Sequence, residues 1–440
     1  MLGKIPTRTR RLVRLAAVCA VVASLTFTSV QIHAYSVLTH EQVVDFLWNS
    51  DIKPILLDRY PLATAEELRQ AHAFAYGGCL IQDMGYYPGG NKFFSDLVHY
   101  VRSGDFVGEM LRQASDLNEM AFALGALAHY ASDTAGHPAI NHAVPMVFPK
   151  LKKKYGTEVT YEDDKVAHVQ TEFGFDVLEV AKQRYTSQAF HDFIGFQVSK
   201  DLLERAFLAT YGLNLKDVLH DEDMAINSYR HAVSTWVPRL TQVALITKKQ
   251  ELEALPNFNA HEFRYVLKRS QYQKEWGKNY YRPNFFSKFL AVVVKILPKV
   301  GPLRALDVKP PTPETEKMYF ASLEATLKRY QHDLRLAGEL QVPLENTDLD
   351  TGRHTNPGEY KLADRAYSKL VKDLADEKFA RITPQLRENV LSFYGNLEGP
   401  FETRRHKEEW HTLLKNLEAL RQQTIVAQQQ SSNGSRKPGP

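Results

Sequence analysis

The stretch Leu127-Ala-His-Tyr-Ala-Ser-Asp-Thr-Ala-Gly-His-Pro138 carries His129, Asp133 and His137 at steps of four. On a helix, residues four apart stack on one face. Two imidazoles and a carboxylate therefore share one stripe. The lead-in from Met120 to Leu127 has no charged side chain, which predicts a buried helix. Gly136 and Pro138 are expected to stop it. Polar groups on an apolar helix are costly unless something satisfies them. Taken alone, the stretch leaves two readings open: a hydrogen-bonded His129–Asp133 pair in a core helix, or one wall of a metal site.

Before this helix, Thr39 with Gln42 and Thr64 with Glu67 have the spacing of capping boxes, each opening a helix. Ala75-Tyr-Gly-Gly-Cys-Leu-Ile-Gln-Asp83-Met-Gly-Tyr-Tyr-Pro-Gly-Gly90 is expected to end helical order and form a loop. His99 follows, and a third helix is expected to begin near Asp105. After the central helix, a loop is expected to carry His142 and the charged run from Lys150 to Asp164. His168-Val-Gln-Thr-Glu172 then repeats the four-residue step on a helix whose continuation is apolar. Helical patterns recur near Leu202 to Tyr211 and from Ile226 onward. No sustained period-two alternation occurs, so the fold class is all-α, a multi-helix bundle.

The chain has 440 residues, 44% of them hydrophobic and 11% aromatic, which places it among globular proteins. Its N-terminus has the pattern of a secretory signal. Lys4, Arg8, Arg10, Arg11 and Arg14 precede an apolar stretch from Leu15 to Val30, and Ala34 offers a cleavage point. Removing those five cations from the formal +4 leaves a mature chain near −1. The basic balance is thus export chemistry and no argument for nucleic acid. Removal of Cys19 leaves Cys79 alone, so the mature chain forms no internal disulfide.

The expected organisation is a signal over 1–34, a first domain over 35–255, a helical C-terminal region over 256–427 and a disordered tail over 428–440. In the C-terminal region, prolines between Pro298 and Pro313 read as a linker, a long helix follows to about Leu340, and a polar loop near Glu345 to Glu359 leads into charged amphipathic helices. The basic, aromatic segment 276–299 is too short to span a bilayer. It suits either a membrane interface or a packed helix.

Eight of the sixteen histidines fall within the first 172 residues. Together with nearby carboxylates they supply His40, Asp83, His99, His129, Asp133, His137, His168 and Glu172. Imidazole with carboxylate suits zinc, and two separate His-carboxylate pairs strengthen the metal reading of the central helix. In order, YSVLTH, GGCLIQDMGYYP, the His99 segment, ALAHYASDTAGH and HVQTEFGFD resemble the zinc-dependent phospholipase C family, especially the catalytic domain of glycosylphosphatidylinositol-specific phospholipase D. The same fold serves fungal single-strand nucleases. The resemblance covers roughly Tyr35 to Leu255.

The resemblance implies three zinc ions in a cleft of the bundle. Asp83, His99, His129 and Asp133 would hold one, and His137, His168 and Glu172 a second. Tyr35, as the mature N-terminal residue with a free amine, would hold the third with His40 and a bridging Asp133. His142 is a rival to His137. Asp83 would also act catalytically by orienting or deprotonating the attacking water. The implied activity is phosphodiester hydrolysis on a phospholipid or a glycosylphosphatidylinositol-type lipid. A nuclease or nucleotidase on the same frame, and a binding protein with structural zinc, are the alternatives. Tyr86 and Tyr87 suit either a headgroup pocket or plain packing.

Overall fold

A computed structural model describes residues 37–181, 184–185, 195–233, 309–338 and 344–423. The signal segment, Tyr35, the boundary near residue 256, the segment 276–299 and the tail over 428–440 lie outside the described residues. The helices are α1 (Val37–Leu47), which passes through a π turn (Trp48–Ile52) into α2 (Lys53–Arg59), then α3 (Ala65–Ile81), a 3-10 turn (Gln82–Tyr86), α4 (Lys92–Tyr100), α5 (Ser103–Gln113), α6 (Leu117–Val147), α7 (Pro149–Tyr155) and α8 (Lys165–Ala181). They continue with α9 (Lys200–Tyr211), α10 (Leu215–Leu219), α11 (Glu222–His231), α12 (Pro313–Gly338), α13 (Lys361–Asp376), α14 (Pro384–Phe393) and α15 (Lys407–Gln422). One two-residue antiparallel pair, β1 (Thr347–Asp348) and β2 (Arg353–His354), interrupts them. The protein is an all-α bundle. Among the described residues no helix is long and apolar enough to cross a membrane.

The central helix α6 is the axis of the bundle, and both α3 and α12 pack against it. Its start is set by Asp116, whose carboxylate accepts from the Glu119 N–H at 2.9 Å. The contact with α3 is backbone-close. A Cβ on Gly78 would lie 1.9 Å from the Phe122 carbonyl oxygen, and one on Gly125 would lie 2.0 Å from that of Ala75. Glycine is the residue that fits both positions. From α12, the Tyr330 hydroxyl donates to the Leu124 carbonyl at 2.8 Å. One continuous apolar core includes Leu127 of α6, Tyr330 of α12 and Leu370 of α13. The C-terminal helices thus share the core of the first part of the chain.

Several sequence expectations are corrected. Helix α6 does not stop at Gly136 and Pro138 but runs on to Val147 with Pro138 and Pro145 inside it. A proline frees the carbonyl four residues earlier, and both freed carbonyls are covered by distant chain. Asn141 O accepts from the Val159 N–H at 2.9 Å, and Gly352 packs against Thr134 O so closely that a Cβ would lie 2.3 Å from it. His142 therefore lies on α6 rather than in a loop, and part of the charged run forms α7. Helix α3 continues through Gly77 and Gly78 to Ile81, where a loop was expected. Thr39 is inside α1 and caps nothing; its hydroxyl donates to Asp176 at 2.8 Å. At Thr64 the capping box forms with both of its hydrogen bonds.

Candidate metal centre

The eight described residues named from sequence converge at the middle of α6. His40 comes from α1, Asp83 from the 3-10 turn after α3, His99 from α4, and His129, Asp133 and His137 from successive turns of α6. His168 and Glu172 come from α8. None is more than 2% exposed. They form three groups whose ligand atoms lie within 4.8 Å of one another: His40, His129 and Asp133; Asp83, His99 and His129; His137, His168 and Glu172.

Asp133 touches all three groups. Its Oδ2 lies 3.0 Å from His129 Nε2 and 3.5 Å from His99 Nε2. Its Oδ1 lies 3.5 Å from His40 Nε2 and 3.6 Å from His137 Nε2. Across the site, Asp83 Oδ1 is 3.4 Å from His99 Nε2, and Glu172 Oε1 is 2.7 Å from His168 Nε2.

The ring orientations follow from the outer nitrogens. Carbonyl oxygens only accept, so a ring nitrogen that meets one carries its proton. His99 Nδ1 donates to Ser95 O at 2.8 Å, His129 Nδ1 to Cys79 O at 2.9 Å, and His137 Nδ1 to Leu349 O at 2.6 Å. In the neutral rings this leaves each Nε2 lone pair facing the carboxylates, the arrangement a metal-ligating histidine adopts. Ser95 also joins the 3-10 turn to α4. Its hydroxyl donates to Gln82 O and accepts from the Gly85 N–H, which aligns Asp83 with His99.

The electrostatics are those of ionisable groups crowded in a buried site. Burial drives His168 down to about 4 and lowers His40 well below the usual histidine range, with His129 adding to the latter. Burial also pushes the Glu172 carboxyl well up. At His99, burial opposes the charged form, but hydrogen bonding and attraction from Asp133 and Asp83 outweigh it and raise the ring to about 10. Asp133 is held well below the carboxylate range. Burial pulls it the other way and loses to His129 and His137.

Among the described residues, neither ring nitrogen of His168 and neither oxygen of Glu172 has a well-aligned hydrogen-bond partner. Buried polar atoms in native proteins are otherwise almost always paired. Borderline nitrogen and oxygen donors, close together and unsatisfied, fit zinc.

A cavity beside the groups is lined by Tyr86, His99, Tyr100, His137, Tyr161, His168 and Asp350. Tyr86 thus borders the site, whereas Tyr87 packs on the Tyr229 ring at 4.5 Å. His142 is exposed and bonds Thr157 O at 3.0 Å, away from the groups. His72 stacks on Trp48 with centroids 3.9 Å apart and bonds Asp45 at 2.9 Å, a structural role. Sequence reasoning missed Asp350. It lies in the polar loop of the C-terminal region, and its local pattern is that of an ordinary turn.

Residues 39–220 match the model of a family described as zinc dependent phospholipase C. No curated protein and no solved structure matches the chain.

Proposed function

We propose, from the match of residues 39–220 to the zinc-dependent phospholipase C family model, that the chain is an exported zinc-dependent phosphodiesterase that hydrolyses phospholipids. The observation that carries this reading is the convergence of eight buried imidazoles and carboxylates into three adjoining groups. Zinc bound there would lower the pKa of a water molecule to about 7 and offset the charge of a phosphodiester.

The chain's own residues have distinct parts in this reading. Asp83, His99, His129 and Asp133 would hold one zinc, and His137, His168 and Glu172 a second. Asp133 would also serve a third, with His40 and the free amine that signal removal would give Tyr35. Asp176 supports the last assignment. Its carboxylate accepts from the Leu38 N–H at 3.1 Å and from the Thr39 hydroxyl, only one turn along α8 from Glu172. The residues just after Tyr35 are thereby tied beside the site. Asp83 is the residue assigned to orient the attacking water and take its proton. It sits on a turn that Ser95 and the Gln82 side chain, bonded to Ala126 O at 3.2 Å, hold in place.

The test is a substrate panel. The purified zinc-loaded protein is assayed against phosphatidylcholine vesicles, a glycosylphosphatidylinositol anchor and single-stranded DNA. Lipid hydrolysis that a chelator abolishes is expected. Cleavage of DNA alone would make the lipid reading wrong.

A further inference from the structure

The hairpin β1–β2 belongs to the C-terminal region, beyond residues 39–220, yet it reaches the metal centre. Leu349 at its turn bonds two of the ligand-bearing helices at once. Its N–H donates to the backbone carbonyl of His99 at 3.1 Å. Its carbonyl accepts from His137 Nδ1 at 2.6 Å.

Asp350, 5% exposed, fixes this residue in place. Its Oδ2 accepts from the hydroxyls of Tyr100, at 2.9 Å, and Tyr360. Its carbonyl accepts from Asn141 Nδ2 at 2.8 Å, and its N–H donates to Asp348 Oδ1 at 2.9 Å. Tyr100 follows His99 on α4, and Asn141 is one turn beyond His137 on α6. Asp350 Oδ1 also lies 3.8 Å from His137 Nδ1, where its charge favours a proton on that nitrogen and a lone pair on Nε2.

We propose that Leu349 and Asp350 are the positioning pair of the metal centre. The Leu349 carbonyl sets the tautomer and rotation of His137, and Asp350 holds that carbonyl against α4 and α6. The inference rests on the zinc reading above and adds that the family-matching part of the chain needs this hairpin for full metal affinity. An outer partner that accepts the second imidazole proton makes the ring a better ligand, and removing one costs about 10–100-fold in metal affinity. The hairpin is built for a fixed place. Gly352 has φ +68° and packs against Thr134 O, and Ser103 exchanges hydrogen bonds with Thr347.

The experiment measures zinc affinity of the intact protein by chelator competition, with the visible spectrum of the cobalt form as a second readout and circular dichroism to confirm folding. Asp350→Ala is expected to weaken one zinc by about 10–100-fold and to alter the cobalt bands. Asp350→Asn, which keeps an acceptor for both tyrosines, should retain most of the affinity. Tyr360→Phe removes one donor with little change of shape and should give a smaller loss than alanine, which serves if Asp350→Ala does not fold. Arg353→Ala, which breaks the hairpin's exposed pair to Glu158, should leave affinity unchanged. Wild-type affinity in both folded Asp350→Ala and Tyr360→Phe would overturn the inference, as would an equal loss in Arg353→Ala. A wild-type protein that binds no zinc would instead sink the metal reading itself.

Discussion

Asp133 Oδ2 lies 3.0 Å from His129 Nε2, one helical turn away on α6, while the other oxygen of the same carboxylate faces His40 and His137. Two oxygens turned towards different imidazoles bring Asp133 beside all three groups. Asp133→Asn keeps the shape and removes the charge. Zinc content should fall by more than one ion per chain and activity by at least about 100-fold, more than the loss of an outer partner would give. Elemental analysis beside the lipid assay checks both. Full zinc occupancy in the variant would remove Asp133 from any shared position.

The raised His99 ring predicts an unusual pH dependence of zinc binding. Zinc takes the Nε2 lone pair only after the proton leaves. With His99 at about 10, apparent affinity should climb about tenfold per pH unit from roughly pH 7 to pH 9. An ordinary histidine near 6.5 would give a plateau over that range. Chelator competition at several pH values decides between the two. In the metal-free protein the same shift contributes stability that is complete below about pH 6.5 and is lost as pH rises through 10. His168, at about 4, contributes the reverse: acidification from about pH 6.5 towards 4 removes stability.

Gly125→Ala should destabilise the bundle. The added methyl would sit 2.0 Å from Ala75 O, so α3 and α6 must separate. Overpacking of this kind costs about 1–3 kcal/mol, which thermal unfolding would show as a fall of several degrees. Because α3 leads into the Asp83 turn, zinc affinity should fall too. An unchanged melting temperature would contradict the close contact between these helices.

Asp176→Ala removes the acceptor of the Leu38 N–H and the Thr39 hydroxyl. Leaving the buried Leu38 N–H unmet costs about 1–3 kcal/mol. If Tyr35 and His40 share a zinc, that ion should leave first on titration with a chelator. Simultaneous loss of every zinc would argue against a separate third site.

What the sequence made legible was periodic or local. The steps of four at His129, Asp133 and His137, and at His168 and Glu172, pointed to helices with aligned ligands, and those residues do meet. The Thr64 capping box is a contact between neighbours in sequence, and it forms. The misreadings arose where distant chain overrides a local signal. Pro138 and Pro145 look like helix stops until Gly352 covers Thr134 O and Val159 bonds Asn141 O. Gly77 and Gly78 look like loop until another backbone lies against them. Thr39 looks like a cap until Asp176 takes its hydroxyl. Asp350 was invisible for the same reason: its place at the site depends on Tyr100 and Asn141, more than 200 positions away.

The central claim is a centre of several zinc ions on one chain, and the metal content of the purified protein tests it most directly. About three zinc ions per chain are expected, removable by a chelator and restored together with phospholipid hydrolysis. One zinc or none in the folded, active protein would contradict it.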